Sequence, residues 1–250
     1  MPDASTTTRL PRLLAELPPP VTVGPRASRL AEVPLIHGTN DHHAGAALRD
    51  GALWSRERRD GVRLRSEVRL QLAGSVYASA GVLYPRKVVA FLFGPEVDRA
   101  GGVATPWDSG HLAAGDRRSD DAVREIYQRY ALPGPAWRQY FVACVAALYA
   151  DPTDYLQLGP PALAHPSGVA GGGEASRIFE VRFEGSLSLS AWGPPVIFAP
   201  ADPGEPLRSG LARAARGGAE VRFYDRGTPL LRGLVLEYIE ERLGLRQEEP

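Results

Sequence analysis

The residues with the richest chemistry fall together at Leu35-Ile36-His37-Gly38-Thr39-Asn40-Asp41-His42-His43. An apolar run from Val33 ends there in an imidazole, a glycine and a hydroxyl. His37, Asp41 and His42 are nitrogen and oxygen donors of the kind a metal ion uses, with His111 and His165 as further donors. Tyr77 and Tyr84 add aromatic faces. Two carboxylates sit at the heads of later apolar runs: Glu180 in Arg177-Ile178-Phe179-Glu180-Val181-Arg182-Phe183, with Glu184 behind it, and Glu220 in Gly217-Gly218-Ala219-Glu220-Val221-Arg222-Phe223-Tyr224. A carboxylate held beside a developing positive charge stabilises it. Arg56, Arg58, Arg59, Arg63 and Arg65 form a basic run suited to phosphate groups. Glu57, Asp60 and Glu67 among them favour instead a solvated face that balances its own charge.

The elements that must hold these groups follow from periodicity and punctuation. Val33 to His37 reads as a strand. A short helix follows, with Asn40 or Asp41 as N-cap, Ala44 to Leu48 as its body and Gly51 as its stop. Val76 to Tyr84, with a bulge at Gly81, and Lys87 to Phe93 read as strands. Gly94 to Asp120 reads as a long loop, which in a compact domain is often functional. Its centre, Thr105-Pro106-Trp107-Asp108-Ser109-Gly110-His111, suits either a lid or a plug in which Trp107 pins the loop to the core. Helices are expected over 122–130, capped by Ser119 or Asp120, and over 136–150. Strands follow at 177–183, 186–191 and 195–199, then a helix at 205–216, a strand at 219–225 and an amphipathic helix at 228–243. Gly168 to Gly173 lacks the flanking strand and helix of a phosphate-cradling loop. Strands and helices mix without a regular alternation, so the expected class is α+β with mixed sheets.

The chain has 250 residues, 44% of them apolar, enough for one sizeable core. We expect a flexible N-terminal arm over 1–30, rich in Pro, Ser and Thr, within which Arg9 to Leu17 suits one short helix, and a single domain over 31–245. Lys plus Arg and Asp plus Glu both number 29, so no overall field pulls the chain to nucleic acid or anionic lipid. Nearly all the positive charge is arginine, with Lys87 the lysine. Cys144 alone excludes a disulfide within the chain and lies in an apolar run, as an inert buried thiol would. No stretch reaches the ~18 apolar residues of a membrane helix. The first 20 residues show no basic-then-apolar leader. A cytoplasmic protein with no membrane partner is therefore expected.

The segment from Leu35 to Trp54 resembles the opening of the ADP-ribosyltransferase superfamily, in which a strand bearing His-Gly-Thr or His-Gly-Ser leads into a short helix and a Gly-x-Leu. The resemblance implies a fold with two mixed or antiparallel sheets, flanking helices and an NAD cleft between the sheets. It places His37 on the adenosine ribose and the Gly38 backbone on the nicotinamide carboxamide, with Thr39 beside them. The family's second signature, an aromatic and a small hydroxyl on a core strand, is matched loosely by Tyr77 and Ser79, with Tyr84 competing. Its third is a glutamate opening a late strand. Glu220 is the first choice and Glu180 the competitor. Gly227-Thr228-Pro229-Leu230 and the final helix are similar to the close of the DNA-directed toxin branch.

The resemblance thus implies an NAD-consuming transferase. Nicotinamide leaves, Glu220 stabilises the ribosyl cation, and a protein or nucleic-acid acceptor receives ADP-ribose. A bacterial toxin or phage-defence role follows from the family alone. Two other readings stand beside it. His37, Asp41 and His42 have the spacing of the metallo-β-lactamase motif, but Thr39 occupies the place of its second histidine, which leaves a zinc hydrolase short of a donor. The chain also suits a non-catalytic module that binds NAD or ADP-ribose.

Overall fold

Val89-Ala90-Phe91-Leu92-Phe93 has no polar residue to show to water, and all five residues are buried in the middle of a sheet. The computed structural model describes residues 4–18, 22–115, 118–169, 174–226 and 231–246. Its strands are β1 (Leu35–Thr39), β2 (Ala52–Trp54), β3 (Ser75–Ala80), β4 (Val89–Phe93), β5 (Val103–Thr105), β6 (Leu132–Pro133), β7 (Glu180–Glu184), β8 (Ser186–Ser188), β9 (Val196–Pro200) and β10 (Glu220–Tyr224). Its helices are α1 (Ala4–Ala15), α2 (Pro25–Ser28), α3 (Asp41–Asp50), α4 (Arg56–Asp60), α5 (Arg65–Leu70), α6 (Ser109–Gly115), α7 (Asp120–Tyr130), α8 (Trp137–Leu148), α9 (Pro152–Leu156), α10 (Leu207–Arg216) and α11 (Leu231–Arg242).

The strands form one mixed sheet of eight, in the order β10-β9-β4-β1-β3-β7-β5-β6, and a separate pair, β2-β8. Only β9 and β10 run parallel. The two expected sheets are thus present but unequal, a large mixed one and a two-stranded antiparallel ribbon. The large sheet nevertheless has a weak seam. β1 pairs with β4 along its whole length, from Leu35↔Phe93 to Thr39↔Val89. It meets β3 only at Leu35↔Ala80 and Ile36↔Ser79. From His37 onward β1 has no ladder partner on its β3 side, and a crevice opens there.

Local signals place the ends of several elements. The Asn40 side chain accepts the His43 N–H at the start of α3, and Gly51, at φ 71°, ends it. Ser119 caps α7. β3 stops four residues short of the expected Tyr84 because Gly81 turns the chain at φ 67°. The expected loop over 94–120 holds a 3₁₀ turn at Pro95–Ala100, β5 and α6. These are too short to show a period in sequence. The Gly227 to Leu230 stretch and residues 170–173 of the glycine-rich break lie outside the described residues.

The described part of the expected N-terminal arm is docked. Leu10, Leu13, Leu14 and Leu17 recur at helical spacing, and Leu13 and Leu17 are buried. Glu16 accepts from Arg129 at 2.5 Å and from the Tyr130 hydroxyl at 2.7 Å. The next segment is locked from inside. Arg138 of α8 is bonded to Asp98 at 2.5 Å and donates to the carbonyls of Ala31 and Val33 at 2.9 and 2.7 Å. Trp137, Phe141, Tyr155 and Phe179 pack edge to face or tilted against one another, and the Arg138 guanidinium lies over the Trp137 ring. Among the described residues no helix is long and apolar enough to cross a membrane.

Removing one member of the Arg138–Asp98 pair strands a buried charge. We expect Asp98→Ala to cost about 3–5 kcal/mol of unfolding free energy. Urea denaturation checks this; a loss below about 1 kcal/mol would show that the pair is not buried as described.

Candidate functional site

His37 stands where the seam opens. Its Nδ1 lies 2.8 Å from the Tyr77 carbonyl on the far side of the gap. A carbonyl only accepts, so Nδ1 carries the hydrogen and Nε2 is left as an acceptor. Burial holds the imidazole down at about 4, helped by the nearby charges of Lys87 and Arg59, so the ring is neutral at pH 7. His37 lines two cavities. One, of about 470 Å³, is walled by Gly38, Tyr77, Tyr84, Lys87, Asp108 and Glu180 among others. The other, of about 320 Å³, is walled by Thr39, Arg49, Trp54, Arg58 and Arg59 among others. Both fall in the size range of small-molecule sites.

Gly38 is needed for close approach: a Cβ there would come within 2.6 Å of Lys87 Cγ and 2.7 Å of Leu83 Cδ1. Lys87, the only lysine in the sequence, makes no ion pair among the described residues. The Tyr77 hydroxyl donates to Glu67 Oε1 at 2.9 Å, which leaves its ring as cavity wall. Ser79 is buried at the seam, its hydroxyl bonded to the Val82 carbonyl, and it does not line the cavity. The Tyr84 hydroxyl is bonded to Asp108.

Glu180 is the acid on the cavity floor. It opens β7 opposite Ser79 of β3 and Thr105 of β5 and is only 5% exposed. The Ser109 N–H donates to its Oε1 at 3.1 Å. Burial pushes its carboxyl up to about 8, and the charge of Asp108 adds to this; the Ser109 bond offsets only part. A strongly shifted acid in a cavity marks a functional candidate.

Glu220, the sequence's first choice, is elsewhere. It opens the edge strand β10, three strands from β1, exposed and paired with Arg222 at 2.6 Å. It does not line the His37 cavity. Glu184, at the far end of β7, is exposed. The structure therefore brings His37, Gly38, Tyr77 and Tyr84 together with Glu180, and sets Thr39 in the adjoining cavity. No protein-family model and no curated protein matches the chain.

The other candidates separate. Asp41 is bonded to Arg226, and His42 and His43 tilt together on the first turn of α3. His165 is buried 4.0 Å from Cys144, whose thiol burial raises to about 12. Among the described residues no three His, Cys, Asp or Glu side chains are placed to share a metal, so the zinc reading lacks its donor set. Trp107 is a plug, 1% exposed against Tyr130. The basic run is mostly balanced: Arg63 pairs with Glu57 and Arg59 with Asp60, each at 2.8 Å. Glu67 instead turns inward to the Leu64 and Ser75 N–H groups and the Tyr77 hydroxyl. Sequence reasoning missed Glu67 as a prop of the site, Asp108 and Ser109 as cavity walls, and the stacking of Arg58 on Trp54 at 3.8 Å.

Glu180 also sets a pH dependence. The folded chain keeps its proton up to about pH 8, whereas an unfolded glutamate releases it near 4.5. The folded state binds the extra proton across that window, so stability falls as pH rises through it. Glu180→Gln should lose less stability than the wild type between pH 5 and pH 8 in thermal melts. Equal losses would mean that Glu180 ionises normally.

Proposed function

We propose that the crevice binds NAD and that the chain is an ADP-ribosyltransferase, with Glu180 rather than Glu220 as its acid. One observation carries this reading: a neutral imidazole with a free acceptor nitrogen and a buried carboxyl line one cavity, from opposite sides of the opened seam. His37 Nε2 accepts a ribose hydroxyl, and its neutrality spares the site a charge. The Gly38 backbone, with no side chain of its own, lies against the nicotinamide carboxamide. Tyr77 presents its ring to the nicotinamide. Lys87, Arg58 and Arg59 supply positive charge for the pyrophosphate.

Departure of nicotinamide leaves positive charge on the ribose ring and C1′. In a site with little water, one carboxylate close to that carbon stabilises it strongly. Glu180 holds a proton in the free protein. The cationic nicotinamide ring favours its ionised form, so bound substrate readies the acid. ADP-ribose then passes to a protein or nucleic-acid acceptor, or to water. A toxin or defence role belongs to the same reading.

Incubation with NAD, with and without cell lysate, tests this by free nicotinamide. We expect release from the wild type, a loss of about 100-fold or more in His37→Ala and Glu180→Gln, and an unchanged rate in Glu220→Gln. Loss in Glu220→Gln with full activity in Glu180→Gln would overturn the assignment. Lys87 gives an independent readout. An amine-directed reagent should modify it at one mappable site, and NAD should protect it; equal labelling with and without NAD would place the dinucleotide elsewhere.

A further inference from the structure

Asp108 faces the same cavity as Glu180 but is held quite differently. Its backbone N–H donates to the Ala175 carbonyl at 3.1 Å, and the buried Trp107 beside it fixes the chain. Its Oδ1 accepts the His111 N–H at 2.7 Å, and its Oδ2 accepts the Tyr84 hydroxyl. Each oxygen keeps a further lone pair. Asp108 is half-buried where Glu180 is buried, and it acts on Glu180 as a negative charge. The pair is therefore unequal, one acid buried with a single N–H on it and one half-buried carboxyl held by two donors. Beside both, Ser109 lines the cavity, and its buried hydroxyl lies near enough to Glu180 to act on that carboxyl.

We propose that Asp108 is the base that takes the proton of the attacking nucleophile. This rests on the ribosyl-transfer reading and adds the group that handles the second substrate. The C1′–N bond to nicotinamide breaks and its electron pair leaves with nicotinamide. A bond forms from C1′ to the oxygen of water, or to a hydroxyl or amine of the acceptor. The proton of that group moves to Asp108 Oδ. Tyr84 is a positioning residue, since its hydroxyl touches Asp108 and holds the carboxylate in place.

The test uses azide, an anionic nucleophile with no proton to lose. Nicotinamide release and the ribosyl product are followed for the wild type, Asp108→Asn, Tyr84→Phe and Glu180→Gln, with NAD binding and thermal melts alongside. In water, Asp108→Asn should fall about 10²- to 10⁴-fold and still bind NAD. Azide should restore its nicotinamide release and give azido-ADP-ribose. It should not restore Glu180→Gln, whose defect lies in cation stabilisation. Tyr84→Phe, which deletes only a hydroxyl, should show a smaller fall with the same rescue, and it decides the matter if Asp108→Asn does not fold. Full activity of Asp108→Asn in water, or a dead variant that binds NAD but ignores azide, would overturn the role of Asp108. A wild type that releases no nicotinamide with water, lysate or azide would overturn the ribosyl-transfer reading instead.

Discussion

The structure turns on how little holds β1 to β3. Two register pairs join them, Leu35↔Ala80 and Ile36↔Ser79, and then the strands part. Backbone groups that leave a ladder must find other partners or face solvent. Here the Tyr77 carbonyl takes the His37 side chain instead of a β1 N–H. The bond that satisfies the opened edge is also the one that fixes the imidazole's tautomer. A fully zipped seam would leave no crevice for the imidazole and the acid to share.

Three carboxyl groups near the opening are treated in three ways. Glu67 is fully buried, but the Leu64 and Ser75 N–H groups and the Tyr77 hydroxyl surround it. Asp108 is half-buried, with the His111 N–H on one oxygen and the Tyr84 hydroxyl on the other. Glu180 has one N–H bond, little water and a charged neighbour, so its neutral form is favoured. Environment, not residue type, thus separates a structural prop, a half-buried carboxyl and a protonated acid.

Much of the frame was legible in the sequence. Asn40 and Gly51 bracket α3 because capping chemistry is local. Val89 to Phe93 announces a buried strand by having no polar residue. The acid was not legible, for a simple reason. Glu180-Val181-Arg182-Phe183 and Glu220-Val221-Arg222-Phe223 are the same tetrapeptide, and each opens a strand. One strand lies between β3 and β5 and the other is the sheet's edge. That difference is set by long-range pairing, which no local pattern encodes. Asp108 and Ser109 were missed because Trp107 drew attention to a loop whose neighbours carry the polar groups. The N-terminal leucines show the opposite error, since the short helix expected at 9–17 is read as part of a flexible arm although its leucine stripe packs.

The central claim is that one dinucleotide spans the opened seam, touching His37 from one side and Glu180 from the other. A crystal structure of Glu180→Gln grown with NAD tests it most directly, because the slowed variant keeps the substrate intact. The account predicts NAD in the crevice, with a ribose hydroxyl on His37 Nε2 and the nicotinamide ribose beside residue 180. A dinucleotide bound on another face, or a crevice empty at saturating NAD, would contradict it.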